Sequence, residues 1–422
     1  MGDEAYDLRH FGWDNCIIPA NLKDIHSHIP SYTSLKSLRS PTLFNRRDTY
    51  FPHKFYKCGE DVYMPAFEKG VLHTDGGYAD IYKARRAIFV PEGSEQKGNV
   101  RVVRKGDFQE ICIKEVKLCI RPSENAASPT TRRAAYTEEI HSILYEAFLH
   151  ALLYKTMERE GLPSVIPRMY DVLAYTNGAS MTDDPTVVKS IWITMEFIHG
   201  FTLEKYLQKH LVNLSARTVG SAEQNQRLFM DIFVQLAFYL RILQEKVRFN
   251  HRDLKINNIY VRHHDADWSR TLNIPDFGEW TCKIDIVLID FGFSCIACGE
   301  GYANPRATLV GAGSWFRPEH DCLKFGRDLC QFLYSIHSSF PFGDYIGGEF
   351  LTLMRSCLQA TKGKSAVDLM NGVDSHGAPN SVAPIKHVLF NEGIYIFLRD
   401  RDVDIPGCNP ATFLKSLKAL AA

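Results

Sequence analysis

Apolar positions along the chain change their period near residue 200. Between 79 and 120 they alternate, in 79-ADIYKARRAIFV-90 and 110-EICIKEVKLCI-120. That is the period-two pattern of half-buried strands, and the Gly/Lys-rich run 92-EGSEQKGNVRVVRKG-106 between them predicts a turn joining antiparallel neighbours. After the polar break 121-RPSENAASPTTRR-133, the segment 136-YTEEIHSILYEAFLHALLYKTMERE-160 carries apolar residues at helical spacing, with acidic residues in its first turn. Two more strands, 168-RMYDVLAYT-176 and 190-SIWITMEFI-198, flank the loop 177-NGASMTDDPTV-187. Beyond Gly200 the period becomes helical, over 202-TLEKYLQKHL-211 and 225-NQRLFMDIFVQLAFYLRILQEK-246, followed by short strand-like pieces at 257-NNIYV-261 and 284-IDIVLI-289. A mostly β half followed by a mostly helical half predicts an α+β chain of two lobes with a cleft between them.

The remaining segments read as attachments to that body. Residues 1–60 are aromatic-rich and irregular, with turn formers at Pro19, Pro30, Pro41 and Pro52, and predict an extension packed on the main body. The stretch 262–283, with His263, His264, Asp265 and Asp267, reads as a solvated loop, and the Gly/Ser-rich 361–384 as a long surface insertion. No self-similarity at 20 to 50 residues is present, which argues against repeat architectures.

Composition narrows the partners. Across 422 residues, 49 Lys+Arg balance 49 Asp+Glu, and 45% hydrophobic with 23% charged residues is ordinary for a folded chain with a large core. The absence of a basic excess argues against bulk nucleic acid or an anionic membrane surface as the main partner. Eleven cysteines, an odd number without a regular framework, predict reduced thiols in a cytoplasmic or nuclear compartment. The opening MGDEAYDLRH is acidic with no apolar run, so no secretory signal is expected, and Tyr6 fails the Ser/Thr requirement of myristoylation. The apolar run 228-LFMDIFVQLAFYLRIL-243 is interrupted by Asp231, Gln235 and Arg241 and is too short to span a bilayer.

The chemistry concentrates in 250-NHRDLKINNIY-260 and 287-VLIDFGFS-294. A carboxylate (Asp253), an ammonium (Lys255), an amide (Asn258) and a second carboxylate (Asp290), on turns between short apolar strands, are groups able to hold Mg²⁺ and a phosphate. HRDLKxxN followed by DFG at this separation resembles the catalytic core of eukaryotic-type protein kinases. The resemblance covers about residues 65–340, and its divergence is similar to that of kinases encoded by large DNA viruses.

The resemblance implies a bilobal protein-kinase-like fold, with a β-rich N-lobe containing one helix (61–198) and a mainly helical C-lobe (199–422). It implies ATP and Mg²⁺, or Mn²⁺, as ligands. In 111-ICIK-114, Lys114 stands where the family's strand lysine orients the α/β-phosphates; its helix partner is Glu146, with Glu139 the rival. In 74-TDGGYADIYKA-84, which resembles the glycine loop with only one of its glycines, Gly76 and Gly77 approach phosphate and Ile81 covers adenine. Cys112 then lines the adenine roof, Met195 lies deepest in the hinge strand, Glu196 to Ile198 offer backbone groups to adenine, and Tyr260 joins the same nucleotide-binding set. Asp253 deprotonates the acceptor hydroxyl, Lys255 sits against the γ-phosphate, and Asn258 and Asp290 hold the metal. The lysine of HRDLK points to a protein substrate with a Ser/Thr acceptor.

Further along, 310-VGAGSWFRPE-319 resembles the family's substrate platform, with Ala312, Trp315 and Arg317 as departures, and Asp328 resembles the aspartate that ties down the HRD backbone. Acceptors between Asp290 and Glu319 reduce to Thr308, so activity is expected to depend little on phosphorylation there, leaving room for a regulatory partner at the N-terminal extension. Two other classes stay open: a pseudokinase scaffold, which would explain the lost glycines, and a small-molecule phosphotransferase with the same Asp/Asn/Asp metal chemistry. A zinc set from Cys295, Cys298, His320 and Cys322 is a competing arrangement that ordinary reduced thiols also explain.

Overall fold

The computed structural model of the protein describes residues 36–38, 67–75, 79–87, 96–97, 100–101, 108–118, 129–175, 185–216, 221–296, 325–357 and 405–421. They form a mixed α+β chain of two compact units. One takes the described residues up to Lys155 together with Pro167–Ile198; the other takes Thr156–Ile166 and the described residues from His199 onward. Gly76, Gly77, Cys298, His320, Cys322, the 310–319 platform, Thr308 and the 361–384 insertion lie outside the described residues.

The first unit is a six-stranded sheet with one long helix. Its strands are β1 (Lys36–Leu38), β2 (Phe67–Asp75), β3 (Ala79–Ala87), β6 (Phe108–Lys117), β7 (Met169–Tyr175) and β8 (Ser190–Glu196), in spatial order β1-β7-β8-β6-β3-β2. The two-residue strands β4 (Gln96–Lys97) and β5 (Val100–Arg101) pair in the turn between β3 and β6. Every neighbouring pair in the large sheet is antiparallel except β1 with β7, where Lys36–Leu38 adds a parallel edge. The N-terminal extension therefore contributes a strand to this sheet.

Alternation assigns the two faces. Ile111 and Ile113 of β6 bury with Tyr82, Ala84, Leu173 and Trp192 on one face. Paired residues share a face of a sheet. Ile81 stands opposite Lys114, and Cys112 opposite Met195, so these four lie together on the other face.

Helix α1 (Pro129–Arg159) begins seven residues before the predicted start. Its first turn contains no acidic residue, and the polar break ends at Pro129, whose fixed φ suits a first helical position. From Glu139 to Tyr154 nearly every residue is buried. A helix apolar on all sides is an internal one, so any charge it carries needs a partner.

The second unit is mainly helical. It holds β9 (Gly200–Thr202), α2 (Leu203–His210), α3 (Ser221–Val247), β10 (Ile259–Arg262), β11 (Arg270–Ile274), β12 (Gly278–Cys282), β13 (Asp285–Leu288), α4 (Arg327–Ser339), α5 (Phe342–Tyr345), α6 (Gly348–Cys357) and α7 (Pro410–Ala421). Strands β13, β10 and β9 form a small antiparallel sheet. Gly200 is required there, because a Cβ would sit 2.0 Å from the Val261 carbonyl oxygen. No helix among the described residues is long and apolar enough to cross a membrane.

One expectation is overturned in part. Within 262–283, the stretch 263–269 is the exposed loop expected, with His263, Asp265 and Asp267 at the surface, but 270–282 is an ordered hairpin, β11 with β12, rather than a continuation of that loop. Leu272, Ile274, Trp280 and Cys282 are buried at alternate positions, and Trp280 Nε1 donates to Asp231 of α3 at 3.0 Å. His264 stacks on Trp268 and lies 3.1 Å from the buried Asp285, which also pairs with Arg270 at 2.9 Å.

Candidate active site

In the second unit, the loop 250–258 connects α3 to β10 and is fixed at both ends. Asn250 forms a two-bond bridge with Cys295, each N–H to O distance 2.9 Å. Asp328, fully buried on α4, accepts from the backbone N–H of His251 (2.8 Å) and Arg252 (2.9 Å) and from Asn250 Nδ2 (3.1 Å). Ser335, two turns further on the same helix, accepts from the Ile256 N–H at 3.1 Å. With φ of 65°, Arg252 occupies the left-handed region that non-glycine residues avoid, and the Asp328 bonds hold it there.

The functional side chains follow directly. Lys255 Nζ lies 2.9 Å from Asp253 Oδ2, and Asn258 Nδ2 donates to both the carbonyl and Oδ2 of Asp253 at 2.9 Å each. Burial pushes the Asp253 carboxyl above its ordinary range, Lys255 opposes that, and the like charge of Asp290 adds to it. Asp290 is exposed, with φ of 63°. Its strand end is tied to the loop by Ile289, whose N–H donates to the Asn258 carbonyl at 3.1 Å and whose carbonyl lies 3.0 Å from His251 Nε2.

The donor set fits a hard cation. Asn258 commits its amide N–H groups to Asp253, which leaves Oδ1 as an oxygen donor, and Asp290 offers an exposed carboxylate; Mg²⁺ takes one or two such oxygens with the rest from phosphate and water. Among the described residues there is no group of three or more His, Cys, Asp or Glu able to hold a metal ion. Of the alternative zinc set only Cys295 is described; it is buried, and burial raises its thiol.

In the first unit, Lys114 Nζ lies 2.6 Å from Glu146 Oε1, with side chains 15% and 7% exposed. The strand lysine is thus joined to Glu146, the partner preferred over Glu139. Ile81, Cys112 and Met195 share its face of the sheet. The Glu196 N–H is taken by the Arg168 carbonyl at 2.7 Å, whereas the backbone of Ile198 makes no hydrogen bond among the described residues. Tyr260 is half-buried on β10, between Val287 and Thr202.

Two supporting residues escaped sequence reasoning. Ser335 lies seven residues after Asp328, a helical repeat that puts both on one face. His150 lies four after Glu146, a second polar residue on an apolar helix. The chain also spells DFG twice; 276-DFG-278 forms the β11–β12 turn, where Arg241 lies 3.6 Å from Asp276, while the DFG at Asp290 adjoins the loop. No protein-family model and no curated protein matches the chain.

Proposed function

We propose that the chain is a protein serine/threonine kinase with a kinase-like bilobal fold, transferring the γ-phosphoryl group of ATP to a protein hydroxyl. The observation that carries this reading is the Asp253 carboxylate, which is buried, raised in pKa, paired with Lys255 and gripped by Asn258. A general base works best when its pKa approaches the working pH, and burial moves Asp253 that way. Asp253 takes the proton of the Ser or Thr hydroxyl as its oxygen bonds the γ-phosphorus. The bond from that phosphorus to the β-phosphate oxygen breaks, and ADP leaves.

Lys255 screens the charge that develops beside Asp253, and Lys114, oriented by Glu146, neutralises the α/β-phosphates. Asn258 and Asp290 would hold Mg²⁺, which when bound neutralises charge on the transferring phosphoryl. The test is transfer of labelled phosphate from ATP to a panel of protein and small-alcohol acceptors, by wild type and Asp253→Asn. Transfer to serine or threonine by the wild type alone supports the reading. No transfer by the wild type, or equal transfer by both, sinks it; transfer only to small alcohols makes the chain a small-molecule phosphotransferase.

A further inference from the structure

His150 lies on α1 four residues after Glu146, hence one turn along the same face of the helix. The side chain is buried, and Nε2 lies 2.7 Å from the carbonyl oxygen of Pro167, itself buried just ahead of β7. A carbonyl can only accept, so Nε2 carries the proton and the tautomer is fixed. The bond joins the helix that bears Glu146 to the segment leading into β7, a strand of the sheet that bears Lys114.

We propose that His150 is a positioning residue for the Lys114–Glu146 pair: a neutral donor that staples α1 to the Pro167 carbonyl and so fixes where the Glu146 carboxylate stands. An aliphatic residue would leave the Pro167 carbonyl without its donor in a buried place. A lysine or arginine would set a second cation near Lys114, competing for Glu146. Histidine meets both demands only while uncharged. Burial, with Lys114 adding to it, lowers its pKa to about 4 against the opposing pull of the Pro167 bond, so the ring is neutral through the physiological range.

The inference rests on the kinase reading for its consequence in nucleotide binding, but its structural content can be read without any transfer. The measurement is the rate of Lys114 acetylation by sulfo-N-hydroxysuccinimide acetate, followed by peptide mass spectrometry with the exposed Lys205 as internal reference. In wild type the ion pair to Glu146 keeps Lys114 slow. His150→Leu should raise the Lys114 rate by about fivefold relative to Lys205, the effect of losing one hydrogen bond. His150→Gln, whose amide reaches the place of Nε2, should stay within about twofold of wild type. If the leucine protein does not fold, His150→Asn replaces it, because its shorter amide cannot reach Pro167.

A folded leucine or asparagine variant that labels at the wild-type rate overturns the proposal, and so does a glutamine variant that labels as fast as leucine. A parallel measurement of KM for ATP should rise by a similar factor in the leucine variant, kcat changing less, with rescue by glutamine. Should the labelling pattern hold while the wild type transfers no phosphate, the staple stands and the kinase reading falls.

Discussion

Replacing Asp328 with asparagine changes the chemistry of one buried group and almost none of its volume. The carboxylate accepts from His251 N, Arg252 N and Asn250 Nδ2 at 2.8, 2.9 and 3.1 Å. An asparagine oxygen can stay with His251 and Asn250, but its amide nitrogen then faces the Arg252 N–H, donor against donor. One charge-assisted bond is lost, about 1.5–3 kcal/mol, and an unsatisfied buried donor adds about 1–3 kcal/mol. Arg252, at φ of 65°, is then no longer held in its left-handed conformation. Its relaxation returns part of the roughly 1–3 kcal/mol stored there, so the net local loss is about 3 kcal/mol rather than the full sum.

Amide hydrogen exchange reads that quantity directly, because the two donors are backbone groups. Protection at His251 and Arg252 should fall by roughly 10²-fold, at about 1.4 kcal/mol per tenfold. Asp253 is the next residue, so phosphoryl transfer should fall by a similar factor, with KM for ATP little changed because Lys114 and Glu146 belong to the other unit. Exchange within about threefold of wild type, under 1 kcal/mol, together with full turnover, would refute the claim that Asp328 holds the loop.

On the kinase reading, Asp290→Ala should abolish Mg²⁺-dependent transfer while lowering the unfolding free energy by no more than about 1 kcal/mol, since an exposed side chain rather than core volume is removed and alanine must keep the positive φ of 63°; a metal titration beside a urea melt checks both halves. The acid limb of the kcat/KM profile should lie above the ordinary aspartate pKa, because Asp253 is raised by burial, and the residual activity of Lys255→Met should show that limb at still higher pH, since Lys255 is what lowers it. The sign for stability is opposite: a raised carboxyl favours the folded state below its unfolded pKa, and that contribution is lost as pH climbs through the folded value, which a pH series of melts of wild type and Asp253→Asn measures. Burial lifts the Cys112 thiol to about 12, so near pH 8 only roughly one molecule in ten thousand carries the thiolate. Iodoacetamide should therefore label Cys112 slowly, at a rate rising about tenfold per pH unit up to pH 10, and ATP should suppress the labelling.

Short-range patterns in the sequence carried the strands around Ile111 and Ile113, the strand Ser190–Glu196 and the grouping of Asp253, Lys255 and Asn258 on one loop, because alternation and the short run 251-HRDLKINN-258 are local properties. The early start of α1 has a local reason too: 121-RPSENAASPTTRR-133 carries no apolar periodicity, and only Pro129 marks the first turn. The hairpin β11–β12 was hidden by the charge of the preceding residues. Its own segments, 270-RTLNI-274 and 278-GEWTC-282, do alternate around 275-PDFG-278, where Asp276 and Gly278 take positive φ. The signal was present but outweighed by the density of His and Asp before it.

What no local pattern could supply is the support of the loop. Asp328 and Ser335 reach Asn250, His251, Arg252 and Ile256 across nearly eighty residues of chain, and their own neighbourhood reads as one more amphipathic helix. The reason is physical. A loop that keeps a non-glycine residue at positive φ beside a buried carboxylate cannot satisfy its own backbone donors, so the acceptors must come from an element packed against it. An aspartate with no exposed surface, on a helix that also carries buried Leu, Phe and Cys, is tolerated there only where its oxygens meet such donors. A buried acid on an apolar helix is thus a pointer to a strained loop elsewhere in the chain, and by the same logic Asp231, buried on α3, marks the place where the unforeseen hairpin docks.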